Sequence, residues 1–592
     1  MCGIAGVVSQ QPIDQQKAKK MTATLAKRGP DAVGHFFEQH CFLGQTRLSI
    51  IDLVGGQQPM SDEETRLTIT FNGEIYNFRE LKQELEQRGY NFKTRSDTEV
   101  ILKSYQEYGE ECPKKLDGMF AFAIWDGNNK KLFAARDRFG KKPLYYALTK
   151  DKIFLFASEI KALLASGLIR GEVDRQAIDD YLRLLYIPPD KTVYHNIQTL
   201  KPATSLSYNW HTGETKTKQY WRLEKKPMTI DYEEAKARFW QILNRAVAKR
   251  LVADVEVGTF LSGGVDSSAV SLLAQNNTRG KIKTFSAGFE NLINELPFAE
   301  QTAKAIGSEH FTKQISGNLI DWFLKVNAYF DEPFADSSNV AVAMLSSVAR
   351  EKVKVVLGGD GADELLLGYG WYRMKFNWHW RKIWKQPFFK THWQRYWRKM
   401  QYFKDEERGN LWQKEVKSDF NQRVDNNLQA RDPDERINEF DLKYYLTGDI
   451  LTKVDRAAMI NSLEVRSPFL DTDLAEFIYN LPANFKSRGD EGKIIFKDTL
   501  RGKLPDAIIN RKKQGFGAPV NDWLRRPDFQ ALVQGTLGSP QAHIYQMFNW
   551  ATVNRLREEF YQKNITANER AYKIWLLLNL ELWFKNYHQY HA

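Results

Sequence analysis

Val255-Glu-Val-Gly-Thr-Phe-Leu-Ser-Gly-Gly-Val-Asp-Ser-Ser268 lies just before the middle of a 592-residue chain and decides the architecture of its second half. Val255–Leu261 is an apolar, β-branched run that predicts a strand, Ser262–Ser268 a glycine-rich turn, and Ala269-Val-Ser-Leu-Leu-Ala the body of a helix. Two glycines let the backbone approach an anion closely, and a helix N-terminus favours negative charge. Ser262, Ser267 and Ser268 add hydroxyl donors, and Asp266 is suited to placing Mg2+ on a phosphate. An acidic turn with a helix cap is the plain alternative. The P-loop pattern G-x-x-x-x-G-K-[ST] is absent, so γ-phosphate chemistry of the P-loop kind is unsupported.

The same rhythm continues downstream. Lys281–Ser286 and Val353–Leu357 predict further strands, with a helix over Phe298–Ile306 between them. Alternating strands and helices imply a parallel sheet with ligands at the carboxyl ends of its strands. A second acidic, glycine-rich loop, Leu357-Gly-Gly-Asp-Gly-Ala-Asp-Glu364, follows a strand and offers Asp363 as another Mg2+ contact. Beyond about residue 430 the pattern is mostly helical.

Upstream, to about residue 210, short alternating strands dominate: Leu67–Asn72, Met119–Trp125 and Lys131–Arg136, with one helix over Phe78–Arg88. This half reads as α+β with antiparallel sheets, joined to the rest by a polar bridge at 211–231. Cys2 becomes the first residue if Met1 is removed, and its own α-amine then serves as base for its thiol. Asn72-Gly73 after a strand offers an amide and a backbone N–H as an oxyanion hole, or a plain hairpin turn. Arg47 suits a substrate carboxylate in fork geometry, and Glu74 and Asp97 suit a substrate ammonium.

Arg28-Gly-Pro-Asp31, Arg47-Leu-Ser-Ile-Ile-Asp52, Asn72-Gly-Glu-Ile-Tyr-Asn77 and Ser96-Asp97 stand in the order of the class II glutamine amidotransferase domain, which residues 2–210 resemble. The resemblance implies an N-terminal-nucleophile fold in which Cys2 forms a thioester with glutamine, Asn72 and Gly73 hold the oxyanion, and Arg47, Glu74 and Asp97 hold glutamine. The second half, 232–592, is similar to the synthetase domain of glutamine-hydrolysing asparagine synthetases. Its motifs are SGGVDSS, LGGDGADE, Lys453-Val-Asp-Arg456, Ser462-Leu-Glu-Val-Arg-Ser-Pro-Phe-Leu-Asp471 and Arg511-Lys-Lys-Gln-Gly-Phe-Gly517. That family is of the ATP-pyrophosphatase type: ATP adenylates a carboxylate, pyrophosphate leaves and ammonia displaces AMP. The resemblance places pyrophosphate on Ser262, Gly263, Gly264, Asp266, Ser267 and Ser268. It places the nucleotide beside Leu261, Gly358 and Gly359, and Lys513 on the phosphates. Asp360 stands where several members have Glu near the attacking ammonia. Two departures, Asp336-Ser-Ser-Asn-Val-Ala-Val-Ala343 and Leu365-Leu-Leu-Gly-Tyr369, lie beside the acceptor. The first lacks a cation for a second carboxylate; Arg456 or Arg466 is the expected substitute. Aspartate is the first candidate acceptor, and a sugar uronic acid of surface-polysaccharide assembly the second.

Composition bounds the rest. Hydrophobic residues make up 42% and charged residues 27%, enough for large cores. Three cysteines argue for a reducing compartment, and no apolar run suits a signal peptide or a membrane span, so a cytoplasmic protein is expected. The net charge of +12 is local: residues 371–400 hold nine Lys/Arg, six Trp and no Asp/Glu. A generally basic nucleic-acid binder would spread its charge, so no specific nucleic-acid partner is expected. The segment predicts amphipathic helices through Trp380, Trp384 and Phe388, then Trp393, Trp397 and Met400, packing aromatics on the domain. Contact with an anionic glycan or nucleotide-linked substrate, a membrane surface or nucleic acid is the alternative. A reading of another class, a polyanion-binding protein on a retired enzyme scaffold, is opposed by the intact Cys2, Asn72-Gly73, SGGVDSS and Asp363. A homodimer is left open.

Overall fold

The computed structural model describes residues 1–289, 295–315, 319–373, 391–511, 518–562 and 568–587. The amino-terminal half is a sandwich of two antiparallel six-stranded sheets. The first has the order β10-β8-β9-β1-β3-β2, built from β1 (Gly3–Val8), β2 (Ala32–Glu38), β3 (Cys41–Arg47), β8 (Tyr145–Leu148), β9 (Phe154–Ala157) and β10 (Gln198–Thr199). The second has the order β12-β11-β7-β6-β5-β4, built from β4 (Met60–Asp62), β5 (Leu67–Ile75), β6 (Gly118–Asp126), β7 (Lys131–Arg136), β11 (Thr204–Asn209) and β12 (Thr215–Gln219).

The β6 side chains show why the layers form. Phe120, Phe122 and Ile124 point to one face, against the helices Phe78–Gln87 and Asp97–Tyr108. Ala121, Ala123 and Trp125 point to the other, where they meet Ile4, Val8, Leu43 and Phe156 of the first sheet. Period-2 alternation therefore buries both faces, and both sheets carry helices outside.

The stretch 211–231, expected as a bridge, contains β12, which pairs with β11 from Thr204↔Gln219 to Tyr208↔Thr215. The sandwich thus continues past residue 210. Its five residues are all exposed, so β12 is a polar edge strand with no apolar signature to betray it.

The second half is built on a parallel five-stranded sheet of order β15-β14-β13-β16-β17, with β13 (Val257–Phe260), β14 (Lys283–Phe289), β15 (Glu309–Ile315), β16 (Val355–Leu357) and β17 (Glu464–Arg466). The strand after Val255 is shorter than expected, and the helix starts earlier, at Val265 rather than Ala269. The chain leaves β13 to one side for β14 and later returns on the other side as β16, so β13/β16 is the point where strand order reverses. Such a switch point opens a crevice at the carboxyl ends. Helices dominate the remainder, including an eleven-residue π-helical stretch, Asp441–Leu451, that runs directly into the helix Thr452–Met459.

In the basic aromatic segment, Trp380, Trp384 and Phe388 lie outside the described residues. Trp393 and Trp397 of the helix His392–Met400 pack 5.8 and 5.5 Å from the Phe440 ring, and Trp397 lies 5.6 Å from Phe420. These aromatics belong to a core, as expected. The apolar run Ile574–Leu578 is also core, inside the helix Asn568–Tyr587. Among the described residues no helix is long and apolar enough to cross a membrane.

Candidate functional site

Cys2 immediately precedes β1, a central strand whose Gly3 pairs with Thr46 of β3. Its backbone N–H donates to Asn72 Oδ1 at 3.0 Å. That bond orients the carboxamide of Asn72. Its other end, Nδ2, is buried and has no hydrogen-bond partner among the described residues, an available donor beside Cys2. Gly73 follows with φ +152°, and a Cβ there would sit 2.0 Å from the Met119 carbonyl oxygen across the β5–β6 pair. Only glycine fits at that position. Burial pushes the Cys2 thiol up, opposed by the N-terminal amine, the Leu48 N–H, Gln45 and Arg47. With Met1 in place, the free amine belongs to Met1 and lies 2.8 Å from Glu464, both groups fully buried.

Arg47, at the end of β3, donates to the carbonyls of Ile51 (3.2 Å), Asp52 (2.7 Å) and Leu53 (3.2 Å). Its fork is thus filled by the adjoining loop. Asp97 accepts from the Ile75 N–H at 3.1 Å, and burial pushes its carboxyl up to about 6. Glu74 lies 3.3 Å from Arg466, while its Oε2 is buried without a hydrogen-bond partner among the described residues. Burial, with Glu464 and Asp97 adding like charge, raises its carboxyl well above the usual range despite Arg466.

A buried layer of charge joins this site to the second half. Arg28 donates through Nε to the Cys2 carbonyl at 3.1 Å, through Nη1 to Glu159 (3.0 Å) and Asp455 (2.8 Å), and through Nη2 to Asp455 (3.1 Å). Arg456 lies 2.6 Å from Glu159, and Arg466 2.7 Å from Glu464. Arg456 and Arg466, the expected cations for the acceptor, therefore belong to this layer and do not line the cavity at the carboxyl ends of β13 and β16. Lys453 lines it instead, 2.6 Å from Asp336. All three come from one short stretch, and the helical turn points Lys453 one way and Arg456 another.

At the β13/β16 switch point lies a cavity of about 1160 Å³ whose walls include Leu261, Ser262, Gly264, Asp266, Ser267, Gly358, Gly359, Asp360 and Asp363. The loop after β13 is knitted by its own side chains: Ser262 N–H donates to Ser267 Oγ at 3.1 Å, and the two hydroxyls are 3.0 Å apart. Gly263, at φ +69°, would carry a Cβ 2.6 Å from the Phe298 carbonyl carbon. The helix Val265–Asn276 aims its N-terminus at this loop. Ser268 does not join the group: it is fully buried and turned 3.5 Å from Thr302 Oγ1 in the core, because it lies one turn into the helix. Burial raises the Asp360 carboxyl, opposed by Lys453. Lys513 lies outside the described residues.

Asp266 and Asp363 converge on one cation. Lys493 Nζ lies 2.7 and 2.6 Å from the Asp266 oxygens and 2.8 Å from Asp363 Oδ1. Two hard carboxylates facing one point suit Mg2+ held mainly by phosphates. No group of three or more His, Cys, Asp or Glu able to hold a metal by itself occurs among the described residues. Sequence motifs do not single out Lys493. Its only mark is that a lysine is out of place as the residue before a helix, Ile494–Leu500, where Ser, Thr or Asp belongs.

Comparison with known proteins covers both halves of the chain. The asparagine synthase model matches residues 238–585, and the glutamine amidotransferase domain model matches residues 1–221. Asparagine synthetase [glutamine-hydrolyzing] 1 of Bacillus subtilis is 33% identical over 98% of this chain and 96% of its own length. A putative asparagine synthetase [glutamine-hydrolyzing] of Mycobacterium bovis is 32% identical over 98% and 97%. Amidase chry2 of Gibberella zeae is 28% identical over 88% and 90%.

Proposed function

Because the chain belongs to the asparagine synthase family and is a glutamine-hydrolysing carbon–nitrogen ligase, we propose that it amidates aspartate to asparagine, releasing AMP and pyrophosphate. The observation that carries this reading is the helix Thr452–Met459, which presents Lys453 to the nucleotide cavity while Asp455 grips Arg28 at the Cys2 carbonyl. In the proposed division, the sandwich to Gln219 is the glutaminase and 232–592 the synthetase.

On the glutamine side, Cys2 Sγ, freed of Met1, gives its proton to its own α-amine and attacks the amide carbon. Asn72 Nδ2 and the Gly73 N–H receive the developing oxyanion. Arg47 exchanges its loop carbonyls for the glutamine carboxylate, and Glu74 and Asp97 hold the ammonium. Ammonia leaves, and water releases glutamate from the thioester.

On the ATP side, the acceptor carboxylate attacks the α-phosphorus and pyrophosphate departs onto Ser262, Gly263, Gly264 and Ser267. Asp266 and Asp363 would hold Mg2+, which when bound supplies positive charge to the phosphates. Ammonia then displaces AMP, and Asp360, its carboxyl raised by burial, takes a proton from the attacking nitrogen. Lys453 is the cation in reach of aspartate's second carboxylate.

A second reading, a uronic acid or another carboxylate on a ring, is favoured by one feature. Asp336 already neutralises Lys453, and the stacked rings of Tyr369 and Trp371, 4.1 Å apart, form part of the cavity wall. AMP release measured with aspartate and with a panel of uronic acids decides between them. AMP with millimolar aspartate supports the first; AMP only with a uronic acid overturns it.

A further inference from the structure

Lys493 occupies the point on which Asp266 and Asp363 converge, and the chain is shaped to keep it there. Its backbone is left-handed (φ +59°), and its N–H donates to the Leu366 carbonyl at 3.2 Å. The preceding Gly492 passes so close to the 367–373 turn that a Cβ would lie 2.4 Å from the Leu367 oxygen. Gly368 opens the passage for the lysine stem: a Cβ there would meet Asp363 Oδ1 at 2.0 Å and Lys493 Cε at 2.2 Å. Lys493 is only 4% exposed, yet it belongs to the wall of the nucleotide cavity.

We propose that Lys493 is a built-in occupant of the metal seat, which excludes free divalent cations and yields only to a metal arriving on a polyphosphate. The proposal rests on the reading of Asp266 and Asp363 as the Mg2+ contacts. A divalent ion entering alone meets one ammonium already paired with both carboxylates, and like charges at contact distance repel. A nucleotide brings negative charge of its own. Metal and displaced lysine then both gain new partners, because Lys493 stays within the same cavity as the phosphate loop. The device makes metal loading conditional on ATP.

The test is Mn2+ binding, read by electron paramagnetic resonance on the full chain with and without a non-hydrolysable ATP analogue. Wild type is expected to bind Mn2+ weakly alone and tightly with the analogue. Lys493→Gln is expected to bind Mn2+ alone about tenfold tighter or more, and the gain is lost in Lys493→Gln/Asp363→Asn. Lys493→Arg, which keeps the charge, is expected to stay weak. An unchanged melting temperature, together with retained glutaminase activity, reports that each variant folds. Tight binding by wild type without nucleotide, or equal binding by the Gln and Arg variants, refutes the gate. Absence of Mn2+ binding in every form with the analogue refutes the metal seat itself. Nucleotide-dependent binding unchanged in Lys493→Gln refutes the gate alone.

Discussion

Asp455→Asn isolates the link between the two chemistries. Asp455 is 5% exposed and accepts two bonds from Arg28, at 2.8 and 3.1 Å. Asparagine keeps one acceptor and turns an N–H2 toward the guanidinium. A hydrogen bond to a charged group contributes about 1.5–3 kcal/mol. Glu159, 3.0 Å from Arg28, still balances part of its charge, so the upper end of the roughly 3–5 kcal/mol range for a broken buried pair is not reached. The loss is about 3 kcal/mol, or roughly 10² in the equilibrium holding the halves together. Arg28 also fixes the Cys2 carbonyl, so a loosened layer releases ammonia to solvent. With glutamine as donor, the variant is expected to form glutamate in larger excess over AMP than wild type does. Synthesis from saturating ammonium should change little. An unchanged glutamate-to-AMP ratio together with an unchanged melting temperature would refute the link.

Cys2→Ala should abolish glutamine-dependent synthesis and spare the ammonium-dependent reaction; equal loss with both donors would contradict the division of labour. Asn72→Ala should lower glutaminase kcat about 10²–10³-fold through the lost oxyanion donor, and a change confined to KM would show a binding role instead. In its proposed role Asp97 must be ionised to hold the glutamine ammonium, so kcat/KM for glutamine should rise with pH up to about 6 and level off; an Asp97→Asn variant should lose that step, and a profile identical to wild type's would remove Asp97 from the site. Burial works against the Glu464 charge, but the Met1 amine, Arg466 and Lys142 outweigh it and hold its carboxyl down at about 2. A depressed carboxyl stabilises above its ordinary value of 4.5 and loses that contribution as pH falls through 2, so chain retaining Met1 should loosen between those values. Tryptophan fluorescence followed through that window checks it, and a flat signal would show that the ion pair is not what holds the layer.

The chemistry-bearing loops are legible in the sequence because glycine and acid patterns encode backbone paths locally. Gly263 and Gly73 are conformational necessities, and local motifs mark both. Strand pairs such as β6 on β7 follow from period-2 alternation. The features that stay hidden depend on long-range contacts. β12 is exposed along its whole length, so no apolar pattern marks it. Lys493 reaches Asp266 across 227 positions, and Arg28 reaches Asp455 across 427; neither pairing leaves a trace in local sequence. The sequence points to Arg456 or Arg466 as a cation beside the cavity, whereas Lys453 is the one of the three that lines it, for a related reason. Lys453, Arg456 and Arg466 are near neighbours in the chain, and the turn of a helix and a strand sends them to different sites.

The fate of the acceptor's oxygen tests the central claim most directly. Turnover with glutamine, ATP and an acceptor labelled with 18O in its carboxylate should place one labelled oxygen in AMP for each amide formed, because the carboxylate attacks the α-phosphorus and leaves its oxygen there. Label in inorganic phosphate with ADP as the nucleotide product, or AMP without label, would contradict adenylation at the SGGVDSS loop.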